Sequence, residues 1–328
     1  MKTALKILFG VAVACVAAVV FARYWYLSWD EIAPPELPGV VANGALQHDG
    51  QQRQWLAYVP ASRRQQAPLL VFLRGSGSDG AMARSGTFYS FDVLAEREGF
   101  VVTYPTGFER HWNGCRAAAT YAANLQQIDD VGFIRRLVAE MEARYDIDPS
   151  RVFAAGMSNG GHMVYRLAYE APDLIAGAAV LMANLPTENN SECTPVGEPV
   201  PMLLLTGTED AINPYAGGDV NVYGEHRGAV QSAQASARYW AGLAGYTGNG
   251  ERLKRPETSP DDGTSIESLS WTEPSKVPVT LVSIVGGGHT FPNPVYSAPR
   301  ILGVTSHEAD AAELVWAFFN GLKPKQLH

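Results

Sequence analysis

One pentapeptide, Gly156-Met157-Ser158-Asn159-Gly160, contains the residue types that nucleophilic catalysis needs, and the Gly-x-Ser-x-Gly pattern occurs once in the sequence. It lies between an apolar run that predicts a strand and a segment that predicts a helix. A serine on such a sharp turn presents its hydroxyl above the sheet, where it can attack a substrate. Glycine is expected on both sides, because a side chain there would collide with the neighbouring strand or helix. The alternative is a glycine-rich turn with an ordinary capping serine.

A serine hydroxyl is a weak nucleophile at neutral pH, so Ser158 requires a base and an acid that orients the base. Asp210 follows a predicted strand, and its neighbour Glu209 is the rival acid. His289 follows the last strong predicted strand through the glycines at 286–288. The other histidines lie in a helix, in connections without an adjacent strand, before Ser158 or at the chain end. Ser158, Asp210 and His289 are therefore the expected catalytic residues.

Negative charge develops on the carbonyl oxygen during attack, so two backbone N–H donors are expected beside Ser158. Asn159, at the start of the helix after the serine, supplies the first. The second is expected from the loop after an early strand, where Arg74-Gly75-Ser76 is found and Ser76 is the candidate donor. The alternative for this loop is a flexible Gly-Ser turn.

Strands and helices alternate along the chain that must position these residues. Strands are predicted at residues 55–59, 69–73, 100–104, 152–155, 175–182, 201–206 and 279–285, and helices at 129–145, 160–169, 230–243 and 308–319. A polar connection at 244–276 has room for one edge strand at 265–271. Nearly continuous apolar strands separated by helices indicate an α/β fold, a mostly parallel sheet with helices on both faces.

The 328 residues, 46% hydrophobic and 18% charged, exclude a disulfide scaffold, a collagen-like repeat or wholesale disorder. Because three distant residues must meet at one sheet edge, we expect a single catalytic domain at 41–322. A proline-rich spacer at 31–40 precedes it and a short tail at 323–328 follows. The net charge of −8, without a long basic stripe, argues against a nucleic-acid partner. The sequence does not indicate an oligomeric state.

The N-terminal 30 residues resemble an export segment. Lys2 and Lys6 precede an uncharged run at 7–22 that ends at Arg23. Cleavage after Ala22 would make it a signal peptide, whereas the aromatic residues at 24–26 favour an uncleaved membrane anchor. Both interpretations place the remaining chain outside the cytoplasm, secreted, periplasmic or tethered to the membrane.

In an oxidising compartment Cys115 and Cys193 could form one disulfide, or could pack as two unpaired small apolar groups. The histidines and cysteines lack metal-ligand spacing, and no phosphate-binding motif accompanies the glycine-rich loops. We therefore expect neither a metal nor a cofactor.

The sequence resembles the polyhydroxybutyrate depolymerase and feruloyl esterase-like family of α/β hydrolases from about residue 50 to 320. The matching segments are residues 129–134, 147–152, 156–161, 207–210, 214–218, 286–292 and 310–319. The resemblance implies an α/β-hydrolase fold and hydrolysis of carboxylic esters. It also implies Ser158, Asp210 and His289 as the triad and the N–H groups of Ser76 and Asn159 as the oxyanion hole.

Two departures from the family pattern concern the substrate side. The family usually has His-Gly-Cys or a similar sequence where this chain has Arg74-Gly75-Ser76, and the family cysteine near Tyr246 is absent. The backbone donor survives the first change. Arg74 could pair with a carboxylate of the protein or with one of a substrate.

The resulting hypothesis is an exported serine esterase that works through an acyl-enzyme. Its substrate would be a small acyl ester, a polyester or an esterified polysaccharide. The alternatives are acyl transfer, peptidase activity, or a surface-anchored binding protein on a hydrolase scaffold that has lost catalysis.

Overall fold

The computed structural model of the protein describes residues 2–30 and 32–326, so the last two residues of the predicted tail lie outside it. The helices are α1 Lys2–Leu27, α2 Gly80–Gly86, α3 Ser90–Glu98, α4 Ala122–Leu125, α5 Asp130–Tyr145, α6 Asn159–Glu170, α7 Ala233–Leu243 and α8 Ala311–Asn320. The strands are β1 Val40–His48, β2 Gln51–Val59, β3 Ala67–Leu73, β4 Val101–Pro105, β5 Ile147–Met157, β6 Gly177–Leu181, β7 Met202–Gly207, β8 Gly218–Val222, β9 Glu225–Val230, β10 Glu251–Lys254, β11 Ser265–Trp271 and β12 Val279–Val285.

Ten strands form one sheet in the order β1-β2-β4-β3-β5-β6-β7-β12-β11-β10, and β8 pairs with β9 in a separate hairpin. The six strands from β4 to β12 in this order run parallel, and antiparallel strands extend the sheet at both sides. Helices α5, α6 and α7 pack on one face, and α3 and α8 pack on the other. The predicted α/β-hydrolase architecture is confirmed.

Strand β3 shows why the central strands appear in the sequence as continuous apolar runs. All seven of its residues are buried. Leu70 and Phe72 join the core on the α3 and α8 face, whereas Leu69, Val71 and Leu73 join the core under α5 and α6. A strand covered on both faces cannot alternate between apolar and polar residues.

The predicted edge strand has the expected bounds, but it is not at the edge. β11 lies between β12 and β10, and β10 forms the border of the sheet. All four residues of β10 are exposed, and three of them are charged. An exposed, charged border strand is common because it discourages pairing with other chains, but it leaves no apolar pattern to detect.

Two helices begin three residues later than predicted because a side chain caps each of them. Ser232 accepts a hydrogen bond from the backbone N–H of Ala235, so α7 begins at Ala233, and Val230 belongs to β9. Asp310 accepts from the N–H of Ala312, so α8 begins at Ala311. Side-chain oxygens at these positions satisfy the free N–H groups of the first helical turn.

Helix α1 includes an exposed apolar segment, Lys6–Leu27, with a mean hydropathy of 2.2 and enough length to cross a membrane. Its C-terminal end contacts the segment that follows His289. The Arg300 guanidinium lies 4.1 Å from the Trp25 ring centroid, and the backbone N–H of Ser297 donates to Asp30 at 2.8 Å.

Cys115 and Cys193 form a disulfide, with their Cα atoms 5.0 Å apart. The bond joins the long segment after β4 to the segment after β6. Beside it, the N–H of Glu192 donates to the carbonyl of Cys115 at 3.0 Å.

Candidate active site

The three sequence-predicted catalytic residues follow strands that run in the same direction. Ser158 comes directly after β5, Asp210 follows β7, and His289 follows β12. β6 and β7 connect β5 to β12 through parallel pairing. The carboxyl ends of these strands therefore lie at one edge of the sheet, which is where α/β enzymes place their sites.

Ser158 occupies a strained turn between strand and helix. Its φ of 58° and ψ of −121° are unusual for a residue with a side chain, and its N–H donates to the carbonyl of Leu181 at 2.9 Å. A Cβ on Gly156 would lie 2.4 Å from the carbonyl oxygen of Gly160, and one on Gly160 would lie 1.9 Å from that of Leu73. The turn therefore requires glycine at both flanking positions.

Asp210 and His289 form a buried pair. Nδ1 of His289 lies 2.7 Å from Oδ2 of Asp210, and the side chains are 8% and 1% exposed respectively. The other carboxylate oxygen of Asp210 accepts the backbone N–H groups of Ile212 at 2.9 Å and Asn213 at 2.8 Å. The carboxylate is thus held from both sides, and its bond to Nδ1 leaves Nε2 as the nitrogen that can accept a proton.

No hydrogen bond joins Ser158 to this pair among the described residues. Within the described residues, neither the Ser158 hydroxyl nor Nε2 of His289 has a side-chain hydrogen-bond partner, and neither atom is sealed from solvent. Hydrogen bonds between nucleophile and base are often long in ligand-free sites and shorten when substrate binds. The rival acid Glu209 is exposed, and its only hydrogen bond within the described part of the chain is from its backbone N–H to the carbonyl of Gly287 at 2.9 Å.

Asn159 lies at the first position of α6, where helix geometry leaves its N–H without an intrahelical acceptor. Its buried side chain is fully used elsewhere. Oδ1 accepts the N–H of Trp112 at 2.8 Å, and Nδ2 donates to the Trp112 carbonyl at 3.0 Å and to the Tyr121 hydroxyl at 2.8 Å. These bonds attach the segment after β4 to the turn that carries Ser158.

The loop after β3 packs directly against Ser158. A Cβ on Gly75 would lie 3.0 Å from Cβ of Ser158 and 3.5 Å from its hydroxyl oxygen. Ser76 is the next residue and is exposed, and Gly77 donates its N–H to the carbonyl of Arg110 at 2.9 Å. The structure thus brings the candidate oxyanion loop against the serine.

His162, one turn after Ser158, belongs to a polar network that the sequence did not reveal. Its Nε2 lies 3.3 Å from the side-chain nitrogen of Asn213, the residue whose backbone N–H binds Asp210. Burial, with smaller effects from Arg116 and His289, lowers the pKa of His162 well below its usual value. A single histidine inside a helical pattern carries no sequence signal for such a contact.

Among residues 2–30 and 32–326 there is no group of three or more His, Cys, Asp or Glu side chains that could hold a metal ion.

Comparison with known proteins identifies relatives of this chain. The family model described as "Esterase PHB depolymerase" matches residues 54–196, a range that includes Ser158 but ends before Asp210 and His289. "Putative esterase NocK" of Nocardia uniformis subsp. tsuyamanensis is 27% identical over 266 residues, which are 77% of this chain and 74% of that protein.

"Feruloyl esterase B" of Piromyces equi is 32% identical over 165 residues, 49% of this chain. The matched region spans only 29% of that enzyme's length. Among solved structures, an acetyl xylan esterase from Aspergillus awamori superposes with a TM-score of 0.53 at 17% identity, covering 77% of this chain and 95% of that one. At this identity the superposition shows a shared fold.

Proposed function

Because the chain belongs to the polyhydroxybutyrate depolymerase and feruloyl esterase-like family of α/β hydrolases, we propose that it hydrolyses carboxylic esters with Ser158 as the nucleophile. One observation carries the proposal. Asp210 and His289 form a buried 2.7 Å pair at the sheet edge where Ser158 sits on a strained turn. This is the arrangement expected of an acid, a base and a nucleophile.

The reaction proceeds in two halves. The Ser158 oxygen attacks the ester carbonyl carbon while Nε2 of His289 takes the hydroxyl proton. The tetrahedral intermediate then expels the alcohol, which receives that proton and leaves an acyl group on Ser158. A water molecule attacks the acyl-enzyme in the same way, its proton passing through His289 to the Ser158 oxygen as the acid departs.

Asp210 acts by orienting the base. Its Oδ1 is already bonded to two backbone N–H groups, so Oδ2 is left to fix the His289 ring and to stabilise the imidazolium that forms during attack. The N–H groups of Asn159 and Ser76 serve the oxyanion. Loss of one such donor typically costs about 3–4 kcal/mol of transition-state stabilisation.

The substrate is a small acyl ester, a polyester or an esterified polysaccharide. Support comes from the relatives, whose names include a feruloyl esterase, an acetylxylan esterase and a poly(3-hydroxyalkanoate) depolymerase. A series of p-nitrophenyl esters of increasing acyl length, beside methyl ferulate and a hydroxybutyrate oligomer, would identify the preferred class. Turnover of esters without turnover of matched anilides is expected. Equal or faster cleavage of the anilides would instead support a peptidase.

The catalytic domain, residues 41–322, operates outside the cytoplasm. The apolar helix α1 and the Cys115–Cys193 disulfide support this location. A membrane-impermeant fluorophosphonate should label the protein in expressing cells whose outer membrane has been permeabilised and whose cytoplasmic membrane is intact. Labelling that appears only after lysis would place the domain in the cytoplasm and contradict the proposal.

A further inference from the structure

The Arg74 backbone forms part of the wall of the candidate site. Its carbonyl accepts the indole N–H of Trp112 at 3.0 Å and lies 2.8 Å from where a Cβ on Gly160 would be. The next residue, Gly75, packs on Ser158. Arg74 is therefore fixed at the rim of the turn that holds the proposed nucleophile.

The Arg74 guanidinium lies close to the same turn. Its Nη1 is 3.0 Å from the sulfur of Met157, the residue before Ser158. On another side is the end of α2, where a Cβ on Gly86 would approach the guanidinium carbon to 3.0 Å. Met157 and the glycine at position 86 thus confine a half-buried cation beside the site.

This cation has no counterion among the described residues. Arg53 and Arg166, which are also shielded from solvent, pair with carboxylates at 2.6 and 3.0 Å, whereas Arg74 has none within 4.0 Å. The buried carboxylate of Asp92, on α3, accepts from Arg84 and from the Tyr104 hydroxyl and is not available to Arg74. Burial without a compensating charge lowers the pKa of Arg74 to about 10.

The remaining N–H groups of Arg74 are open to a ligand. A thioether sulfur is a weak acceptor, and a guanidinium has five donors. Each side-chain nitrogen of Arg74 either makes a hydrogen bond or is accessible to solvent. A planar, unpaired fork of donors at the rim of a site matches a carboxylate in geometry and charge.

We propose that Arg74 binds a carboxylate on the substrate, so that the enzyme prefers esters carrying a negative charge a few atoms from the scissile carbonyl. The proposal rests on the proposed esterase function and names the substrate class of that site. Arg74 acts as a specificity-determining residue, because it pairs with a group that does not react.

The test compares two esters of equal length, mono-p-nitrophenyl adipate and p-nitrophenyl hexanoate, which differ only in a terminal carboxylate. The ratio of their kcat/KM values should favour adipate in the natural enzyme and fall about tenfold or more in Arg74→Gln, mainly through loss of adipate turnover. Arg74→Lys should give an intermediate ratio, since it keeps the charge but loses the fork. Added salt should lower the ratio in the natural enzyme and leave it unchanged in Arg74→Gln.

A carboxylate on the alcohol side is tested with 3-acetoxybenzoate against 3-methylphenyl acetate. A preference here, and not for adipate, would place the carboxylate in the leaving alcohol and would still support the proposal. Failure of both pairs to show a ratio that depends on Arg74 would overturn it.

Two further variants guard against other causes. Arg110→Gln removes a charge from the neighbouring loop, where Arg110 is 56% exposed and lies 3.3 Å from Asp79, and should change the ratio less than about twofold. Arg116 is a buried rival without an ion-pair partner in the described chain. A ratio that collapses in Arg116→Gln but not in Arg74→Gln would contradict the assignment.

The outcomes separate this proposal from the esterase function itself. If Arg74→Gln lowers the turnover of both esters equally, Arg74 supports the loop and the specificity role is wrong while the esterase stands. If the natural enzyme hydrolyses neither ester and Ser158 is not labelled by a fluorophosphonate, the proposed function fails first.

Discussion

The pairs Asp210–His289 and Arg53–Asp130 are both shielded from solvent, yet they differ in what remains open. In the first, Nε2 of His289 has no hydrogen-bond partner among the described residues. In the second, the Asp130 carboxylate accepts from Arg53 at 2.6 Å and from the N–H of Asn113 at 2.7 Å, so both oxygens are used. The first, the open pair, ends in a basic nitrogen without a partner among the described residues, whereas in the second, the closed pair, both carboxylate oxygens are occupied.

The positions of the two pairs explain this difference. Arg53 lies on β2, and Asp130 is the first residue of α5. Asp130 also accepts the backbone N–H of Asn113. The residue before Asn113 is Trp112, which is hydrogen-bonded to Asn159 in the site. The closed pair therefore stabilises the segment that contacts Asn159, from a position outside the site. We therefore expect substitutions at the open pair to remove activity and substitutions at the closed pair to remove stability.

The largest effect is expected from Asp210→Asn. The amide can still accept the N–H groups of Ile212 and Asn213 through one oxygen, but it cannot hold His289 in the tautomer that leaves Nε2 basic. We expect kcat to fall about 10⁴-fold while the thermal midpoint stays within a few degrees. Ester turnover and a thermal scan measure both quantities, and a large loss of stability with retained turnover would reverse the roles of the two pairs.

Asp130→Ala tests the closed pair. Removing the carboxylate leaves the Arg53 charge buried without a partner, which costs about 3–5 kcal/mol in comparable sites. Urea unfolding should show this loss, while the folded fraction keeps turnover within about tenfold. Arg135→Ala is the matched control, because its pair with Asp173 is exposed and should contribute less than about 1 kcal/mol.

The disulfide belongs with the closed pair, because it attaches the continuation of the Trp112 segment to the segment after β6. Replacing Cys115 and Cys193 by serine should lower the free energy of unfolding by about 2–4 kcal/mol and leave the kcat of the folded enzyme within about threefold. Parallel unfolding and turnover assays check this. A loss of kcat like that expected for Asp210→Asn would mean that the disulfide positions the catalytic pair.

A smaller, pH-dependent effect on stability is expected at His162, whose ring lies 3.3 Å from the side-chain nitrogen of Asn213, beside the open pair. Its native pKa is lowered by burial, so the unfolded chain binds a proton that the native protein does not. The stability from this neutral histidine is present above its unfolded pKa of about 6.5 and is lost as the pH falls. From pH 7 to pH 5 the natural protein should lose about 2 kcal/mol more than His162→Gln. Equal losses would mean that His162 becomes protonated in the folded protein.

Much of this arrangement could be predicted from the sequence, because its signals are local. A strand buried on both faces is apolar throughout. The Gly-x-Ser-x-Gly turn needs glycine at positions 156 and 160, because a side chain there would collide with backbone atoms. The order of the residues along the chain then selects Asp210 and His289. The proton transfer from Ser158 to His289 stays a prediction, since no hydrogen bond joins their side chains in the described structure.

The closed pair could not be predicted in the same way. Arg53 and Asp130 are 77 residues apart, and each alone reads as an ordinary charged residue. Strand β10 and the contacts of His162 could not be predicted for the same reason, since tertiary packing creates them without a repeating pattern. The Arg74 side chain shows the converse: its identity was visible, but its lack of a counterion required the structure.

The central claim is that Ser158 is activated by the open pair. The most direct measurement is the rate at which a fluorophosphonate labels the folded protein, with the modified peptide identified by mass spectrometry. We predict one adduct on the peptide containing Ser158, absent in Ser158→Ala, formed much more slowly in Asp210→Asn and at near-normal rate in Cys115→Ser/Cys193→Ser. An adduct on another residue, or labelling that persists in Ser158→Ala, would contradict the account.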